Sequence, residues 1–210
     1  MQTIGIFGGT FDPIHLGHLR SAQELRERLA LDELRLLPCH LPPHRETPGC
    51  SSERRLAMVR LACEGTDLQV DDRELRRAGP SYTVETLTQI REELGDEISL
   101  CWVMGVDAFN GLESWHRWRE LLSLAHIVVM ARPGETLLGD GPVAALLAKH
   151  RVEELAVLKS GPAGTIFPVV LTPWPISATA IREALKNGQP VDGLMPQPVV
   201  NYIQQHRLYR

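Results

Sequence analysis

The chain of 210 residues has no long hydrophobic run: no stretch approaches the roughly 20 apolar residues of a transmembrane helix. Its charges nearly balance, with 22 lysines and arginines against 26 acids, so nothing indicates a nucleic-acid or membrane partner. Internal repeats and low-complexity segments are absent, and the first residues predict a strand rather than a signal peptide. We therefore expect one globular domain over residues 1–210 that can bury a full core, with a C-terminal helical part at about 177–210.

The sequence also lacks any Cys-x-x-Cys pair. Without an export signal, its four cysteines predict reduced thiols in a cytoplasmic protein. The assembly state, including a homo-oligomer, stays open. The cysteines are Cys39, Cys50, Cys63 and Cys101.

The segment around which the chain is organised is a glycine-rich loop at residues 8–18, which we call the first loop. It follows a short apolar run and precedes a helical pattern, and such a turn presents backbone N–H groups and a positive helix end to phosphate. It carries His15 and His18 on one side of the starting helix turn, and Gly17 between them should let a ligand approach the backbone. The alternatives are a zinc site, since helical histidine pairs are common ligands, or simply two surface histidines. Asp12 precedes a proline and should point out of its turn, which leaves no third ligand nearby.

Downstream, strands and helices alternate. This pattern predicts an α/β fold, a Rossmann-like open parallel sheet with helices on both faces. Residues 98–104 are almost continuously apolar, as in a central strand covered on both sides. Other strands are expected near residues 3–7, 33–37, 68–70, 126–131 and 165–171, and helices near 19–31, 52–63, 81–94, 139–150, 177–188 and 196–206.

A long segment with four prolines, residues 38–52, separates the second strand from the second helix; we call it the proline-rich loop. Loops of this length inside a compact domain are usually functional or mobile. His40 and His44, with the nearby cysteine, allow a zinc interpretation. We favour an exposed basic lip in which His44 and Arg45 face an anionic ligand. In the helix that follows, Arg54, Arg55 and Arg60 are expected to form a solvated face.

Three further segments carry candidate ligand groups. The hydroxyls of residues 81–83 either cap the next helix or bind a ligand at its N-terminus. Gly105 and Asp107 follow the central strand, where open α/β sheets hold ligands. Of the closely spaced Trp115 and Trp118, one is expected in the core and the other as a stacking platform.

A second anion site is expected at the start of the helix near residue 177. Ser177 is a natural N-cap, while Thr179 and Arg182, three residues apart, share a face. Two hydroxyls, free N–H groups and an arginine suit a phosphate.

These two motifs resemble the signature of the nucleotidyltransferase superfamily. The first loop is similar to Gly-x-Phe-Asp-Pro-x-His-x-Gly-His, and residues 176–182 are similar to Ile-Ser-Ser-Thr-x-Ile-Arg, with Ala178 in place of the second serine. Because Ala178 falls on the buried stripe, its missing hydroxyl should be tolerated. Within the superfamily, several further segments resemble the bacterial nicotinate-nucleotide adenylyltransferase family. They are residues 42–45, 81–83 and 105–107 and the Trp115 region.

The resemblance implies transfer of adenylate from ATP to nicotinate mononucleotide, giving deamido-NAD and pyrophosphate with magnesium. Magnesium would be held largely by the ATP phosphates and water, with no metal ligands expected from the protein. His15, His18 and Arg182 would be catalytic. ATP would also meet Gly8, Gly9, Thr10, Phe11, Gly105, Asp107, Arg132 (near adenine), Ser177 and Thr179, and nicotinate mononucleotide would meet His44, Arg45, Thr83 and Trp115.

Three other functions stay open at this point. Another adenylyltransferase, acting on phosphopantetheine or nicotinamide mononucleotide, would share both motifs. A metal-dependent hydrolase would use the histidine pair with a third ligand. A non-catalytic nucleotide sensor would bind ATP without releasing pyrophosphate.

Overall fold

Six parallel strands form one sheet in the order β3-β2-β1-β4-β5-β6. The computed structural model describes residues 1–41, 48–137 and 139–210. His44 and Arg45 lie outside the described residues. The strands are β1 (Gln2–Gly9), β2 (Glu33–Pro38), β3 (Gln69–Val70), β4 (Ile98–Gly105), β5 (His126–Ala131) and β6 (Ile166–Val170).

Helices connect the strands and follow the last one. They are α1 (Leu16–Arg28), α2 (Ser52–Cys63), α3 (Thr83–Leu94), α4 (Val106–Asn110), α5 (Leu121–Leu124), α6 (Gly141–His150), α7 (Leu155–Leu158), α8 (Ala178–Lys186) and α9 (Gln197–Gln205). Short 3₁₀ helices occur at Arg73–Arg76, Leu112–Ser114 and Trp118–Glu120. Within the described ranges, no helix combines the length and apolar character needed to cross a membrane.

The central strands are buried on both faces because their side chains alternate between two apolar cores. In β4, Cys101 and Val103 pack with α1, α2, α8 and α9, while Leu100, Trp102 and Met104 pack with α3 to α6. This alternation is the period-2 geometry of a strand. It explains why the sequence of β4 is apolar throughout, and it confirms the predicted open α/β sheet.

The strand order reverses between β1 and β4, its two central neighbours. At such a switch point the connections leave in opposite directions, so a crevice opens at the carboxyl ends of the strands. The first loop begins with the last two residues of β1, and β4 ends at Gly105, directly before α4. Both therefore lie at this crevice, where a ligand is expected.

Two predictions made for the helices are wrong in detail. α1 begins at Leu16, three residues earlier than its apolar pattern suggested, because His15 and His18 themselves form its N-terminal cap.

Arg55 is not on a solvated face: its side chain is 0 % exposed, although Arg60 is exposed as expected. The Arg55 guanidinium donates to the carbonyl oxygens of Thr10 (2.6 Å) and His40 (3.0 Å). It thereby ties the first loop to the proline-rich loop.

Candidate active site

His15 and His18 form a reciprocal cap at the start of α1. His15 is the N-cap residue in an extended conformation, and its Nδ1 accepts from the His18 N–H at 3.4 Å. In return, His18 Nδ1 accepts from the His15 N–H at 3.3 Å. The two rings stack with centroids 3.7 Å apart. This is a capping box built from imidazoles instead of hydroxyl and carboxylate, so helix formation itself fixes the ring positions.

The cap also determines which ring atoms can meet a ligand. Because both Nδ1 atoms accept backbone hydrogen bonds, the ring proton of each neutral imidazole resides on Nε2. Burial lowers the pKa of His15 to about 4, with a further lowering from the nearby Arg132 guanidinium. His15 is therefore neutral near pH 7. It offers a phosphate an oriented N–H donor and no full charge.

Beneath the histidines lies an aromatic support. The Phe11 ring is 2 % exposed and meets the His18 ring edge-on at 5.1 Å and the Phe7 ring at 6.0 Å. The Phe11 side chain packs in the core under His18, and its backbone takes a left-handed conformation (φ +48°), which non-glycine residues rarely adopt. The expected contact of Phe11 with ATP stays a prediction.

Gly17 lies where a larger residue would crowd its neighbours. A Cβ at Gly17 would lie 3.0 Å from His15 Nδ1, which is too close for an ordinary contact. The same Cβ would lie 3.6 Å from Cβ of Ile176, the first residue of the second motif. Gly17 thus makes room for the His15 ring where the two motifs meet.

The second motif lies at the start of α8 as predicted. Ser177 is the N-cap, and its hydroxyl accepts from the Ala180 N–H at 3.2 Å. Arg182 donates from Nη1 to the carbonyl oxygen of Asp12 at 2.7 Å, and its Nη2 lies 3.4 Å from Thr179 Oγ1. The guanidinium therefore joins two motifs about 160 residues apart, and Ser177 and Thr179 remain exposed beside it.

Asp12 does not point out of its turn. It is only 6 % exposed, and its carboxylate accepts from the Gly49 N–H (2.6 Å) and the Tyr209 hydroxyl (2.7 Å). The expectation was wrong because the partners come from the end of the proline-rich loop and from the penultimate residue of the chain. Their proximity arises only in the folded chain.

The ends of β4 and β5 supply further predicted site residues. Gly105 is the N-cap of α4, and a Cβ there would meet nothing within 4 Å, so this side of the crevice is open. Asp107 follows in the first turn and is exposed. Arg132 is exposed after β5, and its charge contributes to the lowered pKa of His15. These residues border the same crevice as the two motifs.

At the start of α3, the two alternatives for the hydroxyls are now distinguishable. The N-cap residue is Tyr82, and no side chain caps the helix. The Ser81 hydroxyl instead accepts from the His40 N–H at 3.0 Å. Capping by these hydroxyls is thus excluded. Among the described residues, no side chain caps the first turn of α3, where the half-buried Thr83 also lies.

Of the two tryptophans, one lies in the core as expected, and the stacking role of the other stays a prediction. Trp118 is 7 % exposed and belongs to the core, whereas Trp115 is half-buried at the edge of that core. Near Trp115, the rings of Tyr82 and His116 lie 4.5 Å apart. The tyrosine was not singled out from the sequence as a ring partner, although its position just before a helix start was visible.

A zinc site around His40 finds no support among the residues described. His40 Nδ1 lies 2.8 Å from the Ser52 hydroxyl, an ordinary hydrogen bond. Throughout residues 1–41, 48–137 and 139–210, no group of three or more histidine, cysteine, aspartate or glutamate side chains is placed to hold a metal ion.

Known proteins match the chain over nearly its full length. A sequence model of the cytidylyltransferase-like family matches residues 6–184. A protein of Cellvibrio japonicus named "probable nicotinate-nucleotide adenylyltransferase" is 50 % identical over 209 residues, covering 99 % of both chains. A protein of Pseudomonas aeruginosa with the same name is 51 % identical over 210 residues, covering 100 % of this chain and 98 % of its own.

A solved structure shares the fold. Nicotinic acid mononucleotide adenylyltransferase of Plasmodium falciparum, complexed with NaAD, aligns with a TM-score of 0.74 at 15 % identity, covering 100 % of this chain and 98 % of that one. The likeness extends over the whole sheet and the C-terminal helices. On the strength of the sequence matches, the chain belongs to the cytidylyltransferase-like family and, within it, to the nicotinate-nucleotide adenylyltransferases.

Proposed function

We propose that this chain transfers adenylate from ATP to nicotinate mononucleotide, giving deamido-NAD and pyrophosphate as a step of NAD biosynthesis. The observation that carries the proposal is the contact between the two phosphate motifs. Arg182 of α8 donates to the Asp12 carbonyl of the first loop at 2.7 Å, so the histidine pair and the second anion site form one surface. The curated relatives, about 50 % identical along the whole chain, carry the name of this activity.

The reaction brings two polyanions together. A phosphate oxygen of nicotinate mononucleotide forms a bond to the α-phosphorus of ATP, and the bond from that phosphorus to the bridging oxygen breaks. Positioning and charge neutralisation should supply most of the catalysis, with no covalent enzyme intermediate. His15 and His18 would donate from Nε2 to the phosphates and to the bridging oxygen as it gains charge. Arg182, Ser177 and Thr179 would bind the outer phosphates.

Other contacts with ATP follow from position at the crevice. The backbone at Gly8 and Gly9 and the α4 start at Gly105 and Asp107 would border the ribose. Arg132 was expected near adenine. Its proximity to His15 also suits a contact with the phosphates.

The nicotinate mononucleotide would bind at the start of α3. Thr83 and the uncapped N–H groups there can donate hydrogen bonds to an anionic group, and Trp115 offers a face for the ring. His44 and Arg45 are proposed, from the resemblance alone, to meet the phosphate of this substrate.

Magnesium is proposed to arrive with ATP. Mg²⁺ usually keeps several waters and binds through substrate phosphates with one or two carboxylates. The exposed Asp107 fits such a carboxylate, directly or through water. When bound, the ion would neutralise charge on the leaving pyrophosphate. The single domain over residues 1–210 and the cytoplasmic location stay predictions.

The decisive assay measures pyrophosphate release from ATP with each acceptor in turn: nicotinate mononucleotide, nicotinamide mononucleotide and phosphopantetheine. We expect release that requires nicotinate mononucleotide. ATP binding without release would indicate a sensor, and release with phosphopantetheine alone would indicate another adenylyltransferase.

Arg182→Ala should raise KM for ATP and also lower kcat, because a phosphate clamp acts in both the ground state and the transition state. Steady-state kinetics with varied ATP measure both parameters. Arg132→Ala gives the same two parameters for another arginine that is proposed to contact ATP but lies outside α8. An unchanged dependence on ATP concentration would show that Arg182 only links α8 to the first loop.

A further inference from the structure

Three segments distant in sequence meet at the Asp12 carboxylate. Asp12 belongs to the first loop, Gly49 and Cys50 to the end of the proline-rich loop, and Tyr209 is the penultimate residue. Oδ2 accepts from the Gly49 N–H at 2.6 Å. Oδ1 accepts from the Tyr209 hydroxyl at 2.7 Å and lies 3.6 Å from Cys50 Sγ.

One donor in this cluster can be assigned. The Tyr209 hydroxyl has one proton, and it donates this proton to the Asp12 carboxylate, which can only accept. The single proton of the Cys50 thiol can go to the Tyr209 oxygen, 3.1 Å from Sγ, or to Asp12 Oδ1, 3.6 Å from Sγ. Burial raises the pKa of Cys50 to about 11 and raises the pKa of Tyr209 as well, so both groups keep their protons near pH 7. Tyr209 thus donates to Asp12, while the Cys50 thiol has two acceptors within reach.

The opposite side of Asp12 faces the candidate site. Its carbonyl oxygen accepts from Arg182 Nη1 at 2.7 Å, and that nitrogen also lies 3.9 Å from Oδ2. Three residues further on, His15 begins the histidine cap. Any shift of Asp12 would therefore move the arginine and the loop that leads into the histidine pair.

The conformation of the residues after α9 is strained in its backbone. Arg207 and Tyr209 both take left-handed backbone conformations (φ +52° and +62°), which non-glycine residues rarely adopt. These turns follow α9 and bring the Tyr209 ring against Gly49, where an added Cβ would lie 3.1 Å from the ring. The last residues are thus bent back toward the first loop rather than extended into solvent.

We propose that Tyr209 is a positioning residue for adenylyl transfer: its hydroxyl holds the Asp12 carboxylate and thereby fixes the first loop and Arg182 for binding ATP. The inference rests on the proposed function as far as turnover is concerned. Binding of ATP is a separate readout, since it does not require the reaction to occur.

The test is Tyr209→Phe, which removes the hydroxyl and keeps the ring. Calorimetry with a non-hydrolysable ATP analogue gives the affinity, and steady-state kinetics give kcat and KM. We expect the analogue to bind about tenfold more weakly and kcat/KM for ATP to fall about ten- to a hundredfold, because small misplacements of binding groups are costly in catalysis. The thermal midpoint should change by a few degrees at most. KM for nicotinate mononucleotide should change less than KM for ATP.

Two matched variants make the result specific. Tyr202→Phe removes a hydroxyl from α9, where the ring contacts His206 at 4.3 Å, and should leave affinity and kinetics within twofold of the parent. Cys50→Ala removes the thiol but keeps the bond from Tyr209 to Asp12, and should cost much less than Tyr209→Phe.

Three outcomes would overturn the proposal. One is ATP affinity in Tyr209→Phe within twofold of the parent. Another is an equal loss in Cys50→Ala. The third is unfolding of Tyr209→Phe at the assay temperature, which would assign the hydroxyl to stability. An inactive parent would refute the proposed function, and the affinity comparison would still decide the role of Tyr209.

Discussion

His15 is neutral near pH 7, and its lowered pKa makes the stability of the fold depend on pH. Its pKa is lowered from 6.5 to about 4 by burial and by Arg132. The unfolded chain therefore binds more protons than the native state between these pH values. Stability rises with pH through this window, is fully present above about pH 6.5, and is lost as pH falls toward 4.

His15→Asn should remove this pH dependence, because asparagine is a good N-cap that does not titrate. Between pH 7 and pH 4.5 we expect the parent to lose about 2 kcal/mol more unfolding free energy than the variant, at ~1.4 kcal/mol per pKa unit. Urea unfolding of both proteins at the two pH values measures it. Parallel losses would show that His15 titrates normally.

His18 combines capping with a proposed catalytic role, and the two can be separated. His18→Ala should lower kcat about 100- to 1,000-fold, the typical cost of losing one oriented donor to transition-state charge. It should also cost some stability, since the His15 N–H loses its acceptor. His18→Gln restores an N3 acceptor of the capping-box type, so its stability should recover while kcat stays low. Pyrophosphate release and thermal unfolding give both quantities. Near-normal kcat in a folded His18→Ala protein would remove His18 from the mechanism.

At the level of elements, the buried guanidinium of Arg55 attaches α2 to the candidate site. Arg55 supplies donors to the carbonyl oxygens of Thr10 and His40, so Arg55→Met would leave two inward-facing acceptors unpaired. A buried unpaired polar group costs roughly 1–3 kcal/mol, and we expect Arg55→Met to lose about 2–4 kcal/mol in denaturant unfolding. Arg54→Met, on the same turn of α2, should stay within about 0.5 kcal/mol of the parent. Equal stability of the two variants would contradict the role given to Arg55.

Arg55 also shows where sequence patterns fail. It is placed three residues before Met58 and four before Val59, both on the buried face of α2, so helical periodicity alone puts it inside. The prediction of a solvated face rests on the charge of Arg55, which favours contact with water. Only the folded chain brings two carbonyl oxygens to that position. The same holds for Asp12, whose partners are 37 and 197 residues away.

Features of the whole molecule were easier to predict because many segments of the chain carry the same kinds of hydrophobic pattern. The apolar runs of β1, β4 and β5 and the amphipathic helices between them were sufficient for an open parallel sheet. The two phosphate motifs were recognised as partners because each combines several unusual residues at fixed spacing. What the sequence did not reveal is the reciprocal imidazole cap, since a histidine is not an expected N-cap residue.

We propose that the acceptor, nicotinate mononucleotide, binds at the start of α3, where no side chain caps the helix. A carboxylate there accepts from backbone N–H groups and is favoured by the positive helix end, typically by ~0.3–1 kcal/mol at exposed sites. The amide of nicotinamide mononucleotide would direct an NH₂ donor at these donors, and a buried donor left unpaired costs roughly 1–3 kcal/mol. Trp115 would stack on either ring, so Trp115→Ala should weaken both acceptors similarly.

The measurement that tests the central claim most directly compares kcat/KM for nicotinate and nicotinamide mononucleotides at saturating ATP. We expect the acid to be preferred by about ten- to a few-hundred-fold, since ~1.4 kcal/mol corresponds to a factor of ten. Equal values, or a preference for the amide, would contradict the assignment of the acceptor.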